Sequence, residues 1–333
     1  MYILHTYAMA VVFCFVTMVC WGSWANTQKL VQKESTFQLF YWDYTIGIII
    51  LALIAAFTMG SIGHQGRPFL ADIAQASRHN IWLAFAGGVL FNIANILLVV
   101  AIDIAGMSVA FPLAIGLALV LGVISNYWLA PIGNIPFLST GVVLIIIAML
   151  FSASAYRQLG QSTNKGTSKG IVIAIICGIL MGFFYPFVAD SMASNYVHPA
   201  AGALTLYTAI VFFAIGVIVC NLFVNTWMMY KPLTGKAVTY KDYFKLRFST
   251  HCVGILGGII WCVGILANLL AASKAGYAIS YGLGQGATMI AALWGVFIWR
   301  EFQGGGRRVN IRLTLMFLCY LLGLIAIIAA RFR

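Results

Sequence analysis

Apolar residues run along this chain in ten stretches separated by short polar or basic breaks. They are Tyr7–Thr27, Asp43–Gly60, Ile81–Ile104, Val109–Ala130, Phe137–Ala155, Gly170–Ser191, Gly202–Trp227, His251–Ala275, Ile279–Trp299 and Val309–Ala330. A helix needs about 20 apolar residues to cross the hydrocarbon core of a bilayer. The pattern therefore predicts an all-α membrane protein with ten transmembrane helices. The first run has no basic stretch before it and is followed by Lys29 and Lys33, so it is expected to remain as a span rather than to be cleaved as a signal peptide.

The same hydropathic pattern occurs twice. Gly87 to Leu129 and Gly257 to Trp299 align over 43 residues without a gap at an offset of 170. Gly87/Gly257, Gly88/Gly258, Ala101/Ala271, Ala105/Ala275, Gly106/Gly276, Leu113/Leu283 and Gly116/Gly286 are identical. Looser matches pair Trp21-Gly22 with Met181-Gly182, and Tyr44-Thr45 with Tyr207-Thr208. The polar stretch YRQLGQSTNKGTSK divides the chain into a first repeat (1–155), a linker (156–169) and a second repeat (170–333). Five helices is an odd number, so the second copy must enter the membrane from the opposite side. The expectation is two inverted five-helix repeats, with a solute site near the midplane between them.

Composition narrows the function. Hydrophobic residues are 62% of the chain and charged residues 8%, far from any soluble domain. The net charge of +12 would suit nucleic acid, but the basic residues sit in short loops between apolar runs, which favours the bilayer as partner. Fourteen Lys and Arg fall on one side of the ten-helix topology and five on the other. The basic side should be cytoplasmic, which puts both termini outside, in the periplasm if this is a bacterial inner membrane. The seven cysteines lie in or beside apolar runs without metal-ligand spacing, and read as packing thiols.

Polar groups inside a membrane are costly and are functional candidates. Trp21, Trp24 and Asn26 stand in the first run, Asn92 and Asn95 in the third, Tyr185 and Pro186 in the sixth, Trp261 and Asn268 in the eighth, and Tyr281, Gln285 and Thr288 in the ninth. Amides, phenols and indoles without a buried charge suit a small, neutral, polar solute. The expected solute-binding set is Trp21, Trp24, Asn26, Asn92, Asn95, Tyr185, Trp261, Tyr281, Gln285 and Thr288. The competing readings are amides that glue helices together and tryptophans that anchor the interface. Pro112 is expected to open the fourth helix, and Pro186 to kink the sixth. The repeats differ at Asn92 against Cys262, Asn95 against Ile265, Pro112 against Gly282 and Ile115 against Gln285, and those positions are where cargo selection is expected.

Seven acidic residues leave few sites for coupling to protons. Asp43, at the start of the second run, is the expected proton-coupling carboxylate, against a reading as the N-cap of that helix. Glu301 is expected in an interfacial cluster with Arg300, Arg307 and Arg308. An Asp103–Lys274 ion pair across the repeats is a further possibility. No metal site, cofactor site or enzyme motif stands out, and Ser108 has no histidine partner nearby. The linker has the letters of a phosphate loop in the wrong order, which argues against ATP.

The strings WDYTIGIIILALIAAFTMGSIG, AGGVLFNIAN, AGMSVAFPLAIGLALVLGVISNYWL, YTAIVFFAIGVIVCNLFVNTWMMYKPLTG and AGYAISYGLGQGATMIAALWGVFIWREFQGGGRR occur in this order. Together they resemble the ureide permease family of the drug/metabolite transporter superfamily and, more faintly, bacterial glucose/ribose and rhamnose porters. The matching positions are Asp43 and Tyr44; Gly87 to Val89 with Asn95; and Trp294, Gly295 and Glu301. The central loop is shorter than in plant members. The resemblance implies a ten-helix carrier that imports ureides, nucleobases or sugar-like solutes with protons. Export of drugs or metabolites by the same fold is the alternative.

Overall fold

The computed structural model describes residues 1–63, 65–159 and 168–332. Most of the central linker and the side chain of Ser108 lie outside the described residues. The helices are α1 (Tyr7–Ser23), α2 (Ala25–Val31), α3 (Phe37–Phe57), α4 (Phe69–Gln75), α5 (Arg78–Ala105), α6 (Met107–Leu129), α7 (Ile135–Gln158), α8 (Ser168–Ser191), α9 (Leu206–Tyr230), α10 (Tyr240–Phe244), α11 (Phe248–Ala275), α12 (Tyr277–Gly284), α13 (Ala287–Leu293) and α14 (Gly306–Ala329). A π-helical turn, Trp294–Ile298, follows α13.

Among the described residues, ten helical units are long and apolar enough to cross a membrane, and they correspond to the ten hydrophobic runs. α1 with α2 forms the first, and α12, α13 and the π turn form the ninth. The short helices α4 and α10 lie in loops that hydropathy alone reads as connections. Large apolar side chains such as Val12, Val19, Leu150, Leu321 and Ile325 are exposed on the outer surfaces of the spans. That is the surface lipid requires, because hydrocarbon tails are as apolar as the side chains.

Packing is matched in pairs. α5 lies on α8 and α9, as α11 lies on α1 and α3; α6 lies on α8, as α12 and α13 lie on α1; α7 pairs with α14. The close contacts match as well. A Cβ on Gly88 would collide with the Phe213 carbonyl, and one on Gly258 with the Tyr44 carbonyl. Gly216 meets Phe85 as Gly47 meets Ile255. Tyr44 thus corresponds to Phe213, not to Tyr207. One hydrogen bond has its counterpart too: Thr17 Oγ1 donates to the Gly264 carbonyl at 3.0 Å, and Cys177 Sγ to the Ala94 carbonyl at 3.2 Å.

Two glycines turn the chain between neighbouring spans. Gly106 has φ 81° and ψ 155°, and Gly276 has φ 88° and ψ 155°, a region that a Cβ excludes. With five spans between them, these corners fall at opposite faces of the bundle. The same reasoning separates Asp103 from Lys274. Asp103 accepts a hydrogen bond from Thr234 at 3.0 Å, and the described ion pairs do not include one between Asp103 and Lys274.

Two local expectations change. Pro112 is the sixth residue of α6, not its opening residue, because α6 starts directly after the Gly106 corner. Asp43 is the seventh residue of α3, whose N-cap is Thr36, so Asp43 is no cap. Pro186 lies inside α8, which runs on to Ser191.

Candidate functional site

The face that carries the loops after α2, α7, α9 and the π turn is called the basic face here, because those loops and the adjoining helix ends hold most of the lysines and arginines. A cavity of about 320 Å³ lies at the basic-face ends of four spans. Its walls come from α1 and α2, the start of α6, the end of α7, and α13 with the π turn. Small residues make the space: Gly22, Ala25, Ala291, Ala292 and Gly295 line it. Gly22 lets α1 approach α13, since a Cβ there would stand 2.5 Å from the Ala287 carbonyl oxygen.

Lys29, Glu301, Tyr156, Trp299 and Asn26 of this lining are linked to one another. Lys29 Nζ lies 2.5 Å from Glu301 Oε1, and the Tyr156 hydroxyl donates to Glu301 Oε2 at 2.7 Å. The Lys29 ammonium also sits 4.4 Å from the centre of the Trp299 ring. Trp299 Nε1 donates to Asn26 Oδ1 at 2.6 Å, and Trp294 Nε1 to Ser23 Oγ at 2.9 Å. The π turn makes this possible: it widens the helix, and Arg300 follows with φ 51°, so Trp299 and Glu301 face back toward α2. Glu301 therefore pairs with Lys29 and Tyr156, where sequence proximity had placed it with Arg300, Arg307 and Arg308. An apolar pocket with a few convergent polar groups is the usual form of a small-molecule site.

The ten expected solute-binding residues separate into three places. Asn26 and Thr288 line the cavity; Thr288 Oγ1 donates to the Gln285 carbonyl at 2.8 Å, and Gln285 caps the end of α12 where the ninth span breaks. Asn92, Asn95 and Trp261 are buried at the centre, and the half-buried Trp21 and Trp24 pack against this core. There Trp261 stacks on Trp21 with centroids 6.1 Å apart and meets Phe91 at 4.2 Å. Trp24 lies 4.7 Å from the Tyr44 ring, and Asn95 Nδ2 donates to the Tyr41 hydroxyl at 3.2 Å. Asn92, beside the Cys220 thiol, has no well-formed hydrogen bond on either amide atom, and Trp21 Nε1 and the Tyr44 hydroxyl are also unpartnered. Buried polar atoms are nearly always paired, so this cluster stands out.

Tyr185 and Tyr281 lie in the opposite half, among close contacts. The Tyr185 and Ser280 hydroxyls are 3.3 Å apart, Asn268 Nδ2 donates to the Ser280 carbonyl at 2.8 Å, and the Tyr281 hydroxyl donates to the Ala118 carbonyl at 3.3 Å. Beyond them, on the face of the termini, two loops are tied together. Arg67 pairs with the fully buried Asp72 at 2.7 Å and donates to the carbonyls of Pro199, Ala200 and Ala203, and the Thr205 amide donates to Asp72 at 2.8 Å. The N-terminal residues Met1, Ile3 and Leu4 are buried there as well.

Asp43 is buried but does not line the cavity. It lies where α3, α10 and α11 meet. His251 Nδ1 is 3.0 and 2.9 Å from its two carboxylate oxygens, and the Tyr243 hydroxyl donates to Oδ1 at 2.6 Å. Gly254 makes room, since a Cβ there would come 2.5 Å from the Asp43 Cβ. Sequence reading selected Asp43 but neither partner: one starts the eighth span and the other belongs to a helix of five residues. Among the described residues, no group of three or more His, Cys, Asp or Glu could hold a metal ion.

Comparison with known proteins agrees with this architecture. One crystal structure of a protein superposes with a TM-score of 0.62 at 15% identity, covering 98% of this chain and 99% of that one, which shows a shared fold. Ureide permease 1 of Arabidopsis thaliana is 22% identical over 99% of both chains, and ureide permease 2 of the same plant 21% identical over 99% of both. Probable ureide permease A3 of Vigna unguiculata is 29% identical over 47% of this chain and 43% of its own. The family model for ureide permease matches residues 40–166 and 157–330. This multi-pass membrane protein belongs to the ureide permease family.

Proposed function

We propose that this chain imports a small, neutral, polar solute of the ureide or nucleobase type by alternating access, coupled to protons. Membership of the ureide permease family carries the transport reading. The cavity supports the solute class: its lining is largely apolar, with amide, hydroxyl and indole groups and one internally paired acid and base. A cavity at the basic face, opposite the face that carries the Arg67–Asp72 tie, supports one end state of an alternating-access cycle. The matched contacts of α5 with α9 and of α11 with α3 support two inverted five-helix repeats that exchange roles in the other end state. The basic face is cytoplasmic in this reading, and both termini are outside. The Asp43–His251 pair carries the proton, and rearrangement of the α3–α11 contact passes its charge state to the bundle.

The test is uptake of allantoin, uracil and glucose into proteoliposomes, with and without an imposed pH gradient. Ureide or nucleobase uptake that rises with the gradient is expected. Uptake indifferent to the gradient would remove the coupling, and preference for glucose would remove the solute class. A thermal-shift screen with the same compounds reports binding independently, since a specific ligand stabilises the state it binds.

A further inference from the structure

We infer that Glu301 recognises the open-chain ureido group of the solute, exchanging the Lys29 ammonium for the ligand's paired N–H donors, an assignment that rests on the ureide reading of this cavity. Among the described lining residues, Glu301 is the only acid and Lys29 the only base. A carboxylate only accepts hydrogen bonds, so whatever it binds must present donors. The group –NH–CO–NH2 presents two parallel N–H bonds on one edge, the donor spacing that a carboxylate accepts in bidentate fashion. A sugar hydroxyl is both donor and acceptor and gains less from such a partner.

The surroundings favour an exchange. Lys29 has a second resting place, the Trp299 ring 4.4 Å away, so its charge stays stabilised when it leaves the carboxylate. Tyr156 holds Oε2 and keeps the carboxylate oriented after Lys29 moves. Gly295 gives the carboxylate its place in the wall, because a Cβ there would stand 3.0 Å from Oε2. Asn26 is already engaged on both sides: Trp299 donates to its Oδ1, and its Nδ2 donates to the Ser23 carbonyl at 2.9 Å. Thr288 is turned to the Gln285 carbonyl. The charged pair is thus the polar feature of the cavity best able to change partners. The Lys29–Glu301 pair is also one of the contacts between the first and ninth spans, so solute binding loosens a tie between the two halves of the chain.

The experiment measures allantoin binding to the full chain in nanodiscs, with methylurea and tetramethylurea as competitors. Wild type should be competed by methylurea and not by tetramethylurea, which has no N–H. Glu301→Gln, with one oxygen acceptor left, should weaken allantoin binding about ten- to a hundredfold, the loss of one to two hydrogen bonds to a charged group. Tetramethylurea competing as well as methylurea would overturn the assignment without any variant. Wild-type affinity in a folded Glu301→Gln protein would overturn it too, while leaving the ureide reading intact. Should wild type bind no ureido compound at all, both the ureide reading and this assignment fall.

Discussion

His251 Nδ1 bridges the two carboxylate oxygens of Asp43, at 3.0 and 2.9 Å, joining the second and eighth spans. Asp43→Asn is expected to abolish gradient-driven uptake and to retain solute exchange, read as counterflow in proteoliposomes. Gradient-driven uptake at the wild-type rate would reduce Asp43 to a structural tie. His251→Phe should lower the melting temperature more than Asp43→Asn. It leaves the buried Asp43 carboxylate with Tyr243 as its remaining side-chain donor, a loss of about 1–3 kcal/mol, whereas asparagine still accepts from Tyr243.

Tyr243 adds a pH dependence with a definite sign. Burial, and then the hydrogen bond to Asp43, push its phenol well above the ordinary tyrosine range. A raised folded-state value means that its stabilisation is fully present below the ordinary phenol value and is lost as pH rises through the higher one. The melting temperature of wild type minus that of Tyr243→Phe should therefore be constant from neutral pH to about 9 and shrink only in strong alkali. A difference that shrinks near neutrality would contradict the donor role.

The matched glycine contacts predict matched damage. Gly88→Ala and Gly258→Ala each force a Cβ into a carbonyl of the facing helix, and each should cost about 1–3 kcal/mol in thermal or denaturant unfolding. Gly116→Ala is the control. Its Cβ would meet only Met149 Sδ at 3.9 Å, so stability should hold or rise by up to about 1 kcal/mol from helix propensity.

Asn92 and Asn95 should separate in a stability–transport comparison. Asn95→Leu strands the Tyr41 hydroxyl and should cost about 1–3 kcal/mol. Asn92→Leu removes unpartnered amide atoms and should leave the melting temperature unchanged or higher, while uptake falls. Unchanged uptake in Asn92→Leu would remove Asn92 from the solute path.

Orientation is open to chemical labelling. Cys252 is exposed at the basic-face end of α11, whereas Cys14, Cys177, Cys220 and Cys262 are buried. A membrane-impermeant maleimide should label Cys252 in inside-out vesicles and not in intact cells. The reverse pattern would invert the assigned topology.

Much of this molecule could be read along the chain. Lipid acts on each segment separately, so length and apolarity alone announced the ten spans, and the glycines at 87, 88, 106 and their counterparts at offset 170 announced a repeated packing scheme. The looser match of Tyr44 with Tyr207 failed, since the counterpart of Tyr44 is Phe213, because apolar letters substitute freely and the carbonyl contacts of Gly88 and Gly258 reveal the register.

The partners of charged groups were decided by tertiary structure. Neighbouring residues suggested Arg300, Arg307 and Arg308 for Glu301, yet a π turn and one residue of positive φ swing it to Lys29, 272 positions away. His251 reaches Asp43 across 208 positions, and Asp103 and Lys274 stay apart because the third and eighth spans, α5 and α11, end at opposite faces of the bundle. Hydropathy is a local property that the bilayer reads segment by segment. An ion pair depends on how helices far apart in sequence cross and which faces they present, and only the packed bundle determines that.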